Sequence, residues 1–191
     1  MHGLVNRSIQ CFLRETYGPA VWEAIADAAG LPSQGFEAML HYDDPVTEVL
    51  LDVAALRLRT PRDALLEDLG TFLVSRESLR RLLRFGGIDY ADFLQSLAEL
   101  PERVRLAIPD LDFPVLALAE DAPGHYRLDC GGGWPGFARV MAGVLRAMAD
   151  DYGALVLIDR AGAADADVSI ELLDMTYATG RSFALARPEA G

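Results

Sequence analysis

Residues 113–130 read FPVLALAEDAPGHYRLDC, and this stretch establishes the fold class. Two apolar-rich runs, 113–119 and 125–130, lie on either side of Glu120-Asp121-Ala122-Pro123-Gly124, whose composition is typical of a hairpin turn. Pro135 to Tyr152 then has its apolar residues at helical spacing: Phe137, Val140, Met141, Val144, Leu145 and Met148. Further strand-like runs follow at 154–159, 168–175 and 182–186. This order predicts an antiparallel sheet crossed by one long helix.

Upstream of this sheet the apolar residues recur with helical periodicity. Helices are predicted from Leu4 to a stop at Gly18-Pro19, from Pro19 to a C-cap at Gly30, after Asp43-Asp44-Pro45, after Thr60-Pro61, and from Ser78 to Phe85. Residues 31–42 are predicted to be irregular. Residues 89–105 can form one long helix, except that Pro101 lies inside it and tends to kink the chain. We therefore predict an α+β fold in one domain, residues 1–191, with a mainly helical lobe over 1–108 and a sheet plus long helix over 109–187.

The composition excludes several classes of function. The chain has 191 residues, a hydrophobic fraction of 51% and a net charge of −12, which fits one globular domain and argues against duplex DNA or an anionic membrane as a partner. All 17 basic residues are arginine, so mechanisms that need a lysine, such as a P-loop or a Schiff base, are excluded. No apolar run is long enough for a transmembrane helix or a signal peptide. We expect a cytoplasmic protein with no membrane insertion and no nucleic-acid partner.

Local motifs for catalysis or metal binding are weak. The histidines, His2, His41 and His125, are far apart in sequence, and no G-x-S-x-G motif occurs. We therefore predict neither an enzyme nor a dedicated metal site. The glycine run at 131–136 precedes a helix and is interpreted either as an anion site or as a strand-to-helix turn. A basic stripe is predicted to pair with the chain's own carboxylates: Arg76, Arg80, Arg81 and Arg84.

Blocks of sequence spread over most of the chain resemble one family. They include Met1-His2-Gly3-Leu4-Val5-Asn6, Tyr17-Gly18, Trp22-Glu23-Ala24-Ile25, Tyr42-Asp43-Asp44, Phe93-Leu94-Gln95-Ser96-Leu97 and Pro135-Gly136-Phe137. In this order the chain resembles a stand-alone H-NOX protein, a heme-nitric oxide/oxygen binding domain related to the sensor region of soluble guanylate cyclase. The resemblance implies a heme buried between the two lobes and sensing of NO or O2. It also implies a separately encoded signalling partner, such as a histidine kinase, a cyclic-nucleotide enzyme or a receptor.

Two of the family's motifs are replaced in this sequence. The family's proximal histidine lies in a Leu-x-x-Leu-His-x-Arg-Val segment, which here reads Leu97-Ala98-Glu99-Leu100-Pro101-Glu102-Arg103-Val104, so Pro101 occupies the axial position. The family's Tyr-x-Ser-x-Arg motif, which holds the heme propionates, is replaced by Cys130-Gly131-Gly132-Gly133-Trp134. Proline has no lone pair for iron, and neither glycine nor tryptophan forms a charged fork to a propionate. The pocket walls implied by the resemblance are Val5, Ile9, Leu97, Pro101, Pro114 and Leu145.

Three hypotheses for the function follow from this resemblance. The first is an H-NOX-type sensor or regulatory domain that has lost His-ligated heme and is heme-free or binds another apolar ligand. The second is a heme-binding NO/O2 sensor with a substitute axial ligand, for which the candidates are His41, His125 and Cys130. The third is a ligand-free protein-interaction module with a filled core.

Overall fold

The structure, a computed structural model, describes residues 1–131, 133–161 and 167–174. The first half of the chain is helical, as predicted. Its helices are α1 (Gly3–Tyr17), α2 (Pro19–Ala28), α3 (Asp44–Leu58), α4 (Arg62–Ser75), α5 (Glu77–Arg84), α6 (Tyr90–Ser96) and α7 (Leu100–Ala107). A short 3-10 turn, Leu97–Glu99, lies between the last two. Residues 31–42, which connect α2 to α3, are irregular as expected, with only an isolated bridge at His41.

Short sequence signals determine where these helices begin and end. Pro19 and Pro45 lie in the first turns of α2 and α3, where a missing N–H costs no hydrogen bond. Gly30 adopts a left-handed conformation (φ +68°) just beyond the end of α2, so the chain leaves the helix there. Asp43 is the N-cap residue of α3, but its side chain makes no capping hydrogen bond. The carboxylate of Asp44 instead accepts a hydrogen bond from the N-terminal amine at 2.6 Å.

The second half contains an antiparallel sheet with the strand order β1-β2-β4-β3. Its described strands are β1 (Ala117–Ala122), β2 (His125–Asp129), β3 (Leu155–Ala161) and β4 (Asp167–Asp174), and helix α8 (Phe137–Tyr152) connects β2 to β3. This arrangement confirms the predicted α+β fold. The strand predicted at 182–186 lies outside the described residues. In the described ranges, no helix combines the length and apolarity needed to cross a bilayer.

The hairpin β1–β2 lies where it was predicted, but its first strand starts later. Residues 113–116 are not part of the strand, because Pro114 cannot donate a backbone hydrogen bond to a neighbouring strand. At the other end, β1 continues until Ala122 pairs with His125. The turn is therefore shorter than predicted, and Gly124 provides its positive φ of +76°.

Residues 89–105 do not form one continuous helix, and the break lies beside Pro101, where a kink was expected. The chain forms α6, then the 3-10 turn, then α7, with Pro101 in the first turn of α7. Proline has no N–H, and its ring collides with the carbonyl four residues earlier, so an α-helix does not continue straight through it. The break places Pro101 at a position that a helix tolerates.

Helices α4 and α8 join the two halves through direct backbone contact. A Cβ on Gly143 would lie 1.9 Å from the carbonyl oxygen of Glu67, and a Cβ on Gly70 would lie 2.1 Å from that of Val140. The two glycines therefore allow an approach that any side chain would prevent. One hydrophobic cluster lies mainly within α1–α4, and a second is formed mainly by α5–α8 and the sheet.

Candidate functional site

Pro101 is buried at the start of α7, and Arg103 stabilises the helix break beside it. The Leu100 N–H bonds to Leu97, so the Ser96 carbonyl at the end of α6 loses its helical partner. The Arg103 guanidinium donates to that Ser96 carbonyl oxygen at 2.6 Å and reaches the Leu82 carbonyl oxygen on α5 at 3.4 Å. Pro101 therefore lies beside a helix break that two hydrogen bonds of Arg103 connect to α5 and α6.

The residues expected to form the pocket walls fall into two groups. Val5 and Ile9 on α1 pack in the helical cluster, while Leu97 and Leu145 pack in the second cluster. Ile9, Leu97 and Leu145 are each exposed by 1% or less. The Leu145 carbonyl oxygen accepts a hydrogen bond from the fully buried Tyr90 hydroxyl at 3.0 Å. These wall positions therefore serve as packed core in the structure.

The remaining two wall positions, Pro101 and Pro114, are also buried. Pro114 lies against the segment that leads into α8, because a Cβ on Gly133 would come within 2.4 Å of its Cγ. Pro101 borders a surface cleft of about 300 Å³ together with Phe113. The six predicted wall residues are thus buried or half-buried, and they divide between the two hydrophobic clusters and the segments beside α7 and α8.

Residues 130–134, which the resemblance assigns to the family's propionate motif, form a turn in their described part and contact the helical lobe. The Trp134 indole Nε1–H donates to Glu48 Oε1 on α3 at 2.8 Å. The other oxygen of Glu48 accepts from Arg62 at 2.5 Å, and Arg62 also donates to Asp52 at 2.5 Å. Sequence reasoning missed Glu48 and Arg62, because Trp134 is 86 residues from Glu48 and no local pattern connects them.

A cleft of about 430 Å³ lies beside this turn. Trp134, Leu66 and Cys130 are among its lining residues, together with the two cations Arg62 and Arg139. Arg139 is only 12% exposed and forms an ion pair with Asp63 at 3.3 Å. Each guanidinium in the cleft therefore already faces a carboxylate.

Cys130 lies at the edge of this cleft and remains a neutral thiol. Burial raises its pKa from 9.0 to about 12, and the carboxylates of Asp129 and Asp167 add to the shift. A thiol coordinates a metal only after it loses its proton. Cys130 is therefore placed near the replaced motif, but in its weakly ligating form.

The two histidine candidates for a substitute ligand lie elsewhere. His41 is exposed and contacts His2 edge to face, with a 5.1 Å separation of ring centroids. His125 is exposed on the β1–β2 hairpin, 3.4 Å from a carboxylate oxygen of Glu171. Across the described ranges, no group of three His, Cys, Asp or Glu side chains forms a metal-binding arrangement.

The residues present do not fit a heme held through the axial helix. Such a heme needs a donor atom for the iron and cations for its propionates. Neither α6 nor α7 contains a histidine or cysteine, and Pro101 has no lone pair to offer. At the propionate end, Arg62 and Arg139 are paired with carboxylates.

The basic stripe near residue 80 behaves as predicted and pairs with acidic side chains. Arg76 contacts Glu15, and Arg81 contacts Glu77 at 2.8 Å. Arg84 contacts Asp151 at 3.1 Å and lies over the ring of Tyr152. Arg80 forms ion pairs with both Glu77 and Asp151. The stripe therefore joins α5 to the C-terminal end of α8 and is not an open anion site.

Comparison with known proteins gives a consistent assignment. A family model described as haem-NO-binding matches residues 2–160. The soluble guanylate cyclase gcy-31 of Caenorhabditis elegans is 23% identical over 181 residues, which cover 93% of this chain and 24% of that protein. The chain thus spans about a quarter of that relative's length.

Solved structures share the fold over nearly the whole chain. The unliganded Fe(II) H-NOX protein from K. algicida has a TM-score of 0.73 and 15% identity, covering 93% of this chain and 99% of its own. A Cs H-NOX variant with 4-cyano-L-phenylalanine at site 5 has a TM-score of 0.76 and 14% identity, with the same coverage. These identities establish the fold alone, whereas the family match extends over most of the sequence. The protein belongs to the haem-NO-binding, or H-NOX, family.

Proposed function

We propose that the protein is a sensor or regulatory domain of a signalling system, a single domain over residues 1–191 in which His-ligated heme binding has been lost. It acts in the cytoplasm, without catalysis, on a separate signalling protein of the histidine kinase, cyclic-nucleotide enzyme or receptor class. The observation that carries this proposal is Pro101, which lies in the first turn of α7 and offers no donor to iron, at the position where the resemblance puts the proximal histidine.

The propionate end of the fold supports the same proposal. The resemblance assigns Trp134 to the segment that holds the propionates in the family, and in this chain its N–H is directed to the carboxylate of Glu48. A propionate placed there would meet Glu48 and Asp63, whose charges oppose it. Arg62 and Arg139 are engaged with those same carboxylates, so neither is a ready partner for an added anion.

We further propose that the walls of the former heme pocket now serve as core: Val5, Ile9, Leu97, Pro101, Pro114 and Leu145. The close contact of Gly70 and Gly143 supports this, because it brings α4 and α8 together at backbone distance. The same contact favours a second candidate, a protein-interaction module that signals through protein contacts alone. The two candidates differ in whether any small ligand regulates the domain.

Titration of the purified protein with hemin, followed by absorbance in the Soret region, tests the proposal. We expect a weak, unsaturable change without the sharp band of an axially ligated heme. A stoichiometric Soret band that survives Pro101→Ala but disappears in His41→Ala, His125→Ala or Cys130→Ala would overturn the proposal. It would establish a substitute axial ligand in its place.

A further inference from the structure

We infer that the cleft beside Trp134 is a binding site for a small, neutral, ring-bearing molecule. The inference deepens the proposed function and rests on it, because it gives a heme-free regulatory domain a ligand of different chemistry. The cleft of about 430 Å³ is bounded by α3, α4, the turn at 133–136 and the start of α8. Sites for small molecules commonly measure about 300–1,000 Å³.

Charge pairing makes the cleft selective for a neutral ligand. Arg62 is held between Glu48 and Asp52, and Arg139 is paired with Asp63. An anion entering the cleft would meet the carboxylates of Glu48 and Asp63, and a cation would meet the two guanidiniums. Either charge would also lose part of its hydration without gaining an unengaged counter-ion. A molecule without charge avoids both costs.

The remaining surface of the cleft suits a ring. The Trp134 indole is held in one orientation by its 2.8 Å hydrogen bond to Glu48, so it forms a preorganised stacking surface. Apolar atoms of Leu66, Pro135 and Ala138 line the adjoining walls. Gly136, with φ +102°, lies between them, and a Cβ there would come within 2.8 Å of a Leu66 methyl group. The glycine therefore keeps Leu66 and Trp134 next to each other without an intervening side chain.

Two dyes that differ by one charge test this inference on the full chain. N-phenyl-1-naphthylamine is neutral, and 8-anilino-1-naphthalenesulfonate has the same ring skeleton with an added sulfonate. We expect the neutral dye to bind with one-to-one stoichiometry, seen as an increase in its fluorescence, and the sulfonate to bind at least about tenfold more weakly. Equal affinity for both dyes, or no binding of the neutral dye, would overturn the inference.

Variants at the cleft locate the bound dye. Trp134→Ala should lower the affinity for the neutral dye about tenfold, because the stacking surface is lost. Should Trp134→Ala not fold by circular dichroism, Trp134→Phe serves instead. It keeps a ring but not the N–H, and we expect it to retain the neutral dye within about threefold. Unchanged binding in Trp134→Ala, or loss of binding in a folded Trp134→Phe, would contradict a stacking site at this position.

A matched pair of charge variants tests the selectivity. Asp63→Asn removes a carboxylate charge from the cleft lining and should strengthen sulfonate binding severalfold while the neutral dye is unaffected. Asp121→Asn removes a comparably exposed carboxylate from Arg127 on the distant hairpin and should change neither dye. Identical behaviour of the two variants would contradict the site. Dye fluorescence and the heme Soret band are read separately, so failure of this inference and failure of the heme-free proposal are distinguishable.

Discussion

At the residue scale, burial changes the acid–base chemistry of Cys130. Its pKa rises from 9.0 to about 12, mainly through burial and secondarily through Asp129 and Asp167. Below about pH 9 the Cys130 thiol is protonated in both the folded and the unfolded chain, so its ionisation does not lower the free energy of unfolding. Between about pH 9 and pH 12 the thiol ionises in the unfolded chain but not in the folded chain. This ionisation favours the unfolded chain, so the free energy of unfolding falls as the pH rises.

We therefore expect the free energy of unfolding to fall between about pH 8 and about pH 10.5, with Cys130 contributing on the order of 1–2 kcal/mol of the fall. Urea unfolding at the two pH values measures this decline. Cys130→Ala should show a smaller decline than the wild type. Cys11→Ala, which changes the half-buried thiol on α1, is the matched control and should keep the wild-type pH dependence. Equal declines in both variants would contradict the assignment.

A second prediction at this scale concerns Arg103, whose guanidinium satisfies the carbonyl freed at the helix break. Arg103→Met keeps the apolar stem but removes the donors to Ser96 and Leu82. We expect a loss of about 1–3 kcal/mol in the free energy of unfolding, because two partly buried carbonyls lose a charged donor. Arg105→Met on the same helix removes only an exposed pair with Glu102, and should cost about 0–1 kcal/mol. Thermal or urea unfolding of the two variants makes the comparison, and equal losses would exclude a special role for Arg103.

At the element scale, the contact of α4 with α8 determines how the two halves pack. Gly143→Ala would place a methyl group 1.9 Å from the Glu67 carbonyl oxygen, so the helices must separate. We expect a loss of about 1–3 kcal/mol in the free energy of unfolding, measured by urea denaturation. Gly131→Ala is the control, since its nearest neighbour is a movable carboxylate oxygen of Asp129 at 3.1 Å. If both variants were equally stable, the tight helix contact would be refuted.

Sequence reasoning identified elements whose signals are local. Gly30 and Pro45 predicted the end of α2 and the start of α3, and the order of strand-like and helical runs predicted the sheet with α8. These predictions succeeded because turn residues and apolar periodicity act within a few residues of the chain. The interruption at Pro101 was expected from its absent N–H, but the 3-10 turn that precedes it was not, because the helical pattern continues through those residues. The cleft was also missed. The tertiary fold alone brings Trp134 into contact with Glu48 and Glu48 into contact with Arg62. The spacing of these residues in the sequence does not predict either contact.

At the scale of the whole molecule, two packed clusters meet along α8. Val140 belongs to the helical cluster and Met141 to the cluster under the sheet, so adjacent residues of one helix serve both. The chain has a net charge of −12. The two guanidiniums of the cleft, those of Arg62 and Arg139, form ion pairs with Glu48 and Asp63. The H-NOX fold is thus retained, while α6 and α7 contain no histidine or cysteine and the two cleft guanidiniums face carboxylates.

This view predicts that one substitution does not restore the cofactor. Pro101→His supplies a donor, but under the proposal the former pocket is filled by core side chains, and the cleft keeps the carboxylates of Glu48 and Asp63. We expect hemin titration to show no stoichiometric Soret band for Pro101→His. Pro101→Ala is the control for removing the proline from the kink, and it should behave like Pro101→His. A sharp, saturable band in Pro101→His alone would show that the pocket is still open.

The amount of heme bound per chain after expression with a heme precursor tests the central claim most directly. Absorbance of the pyridine hemochrome, set against protein concentration, measures this ratio for the purified wild-type protein. We expect a ratio far below one, because Pro101 gives iron no ligand and the cleft carboxylates oppose the propionates. A ratio of one heme per chain would contradict the proposal that this H-NOX domain works without heme.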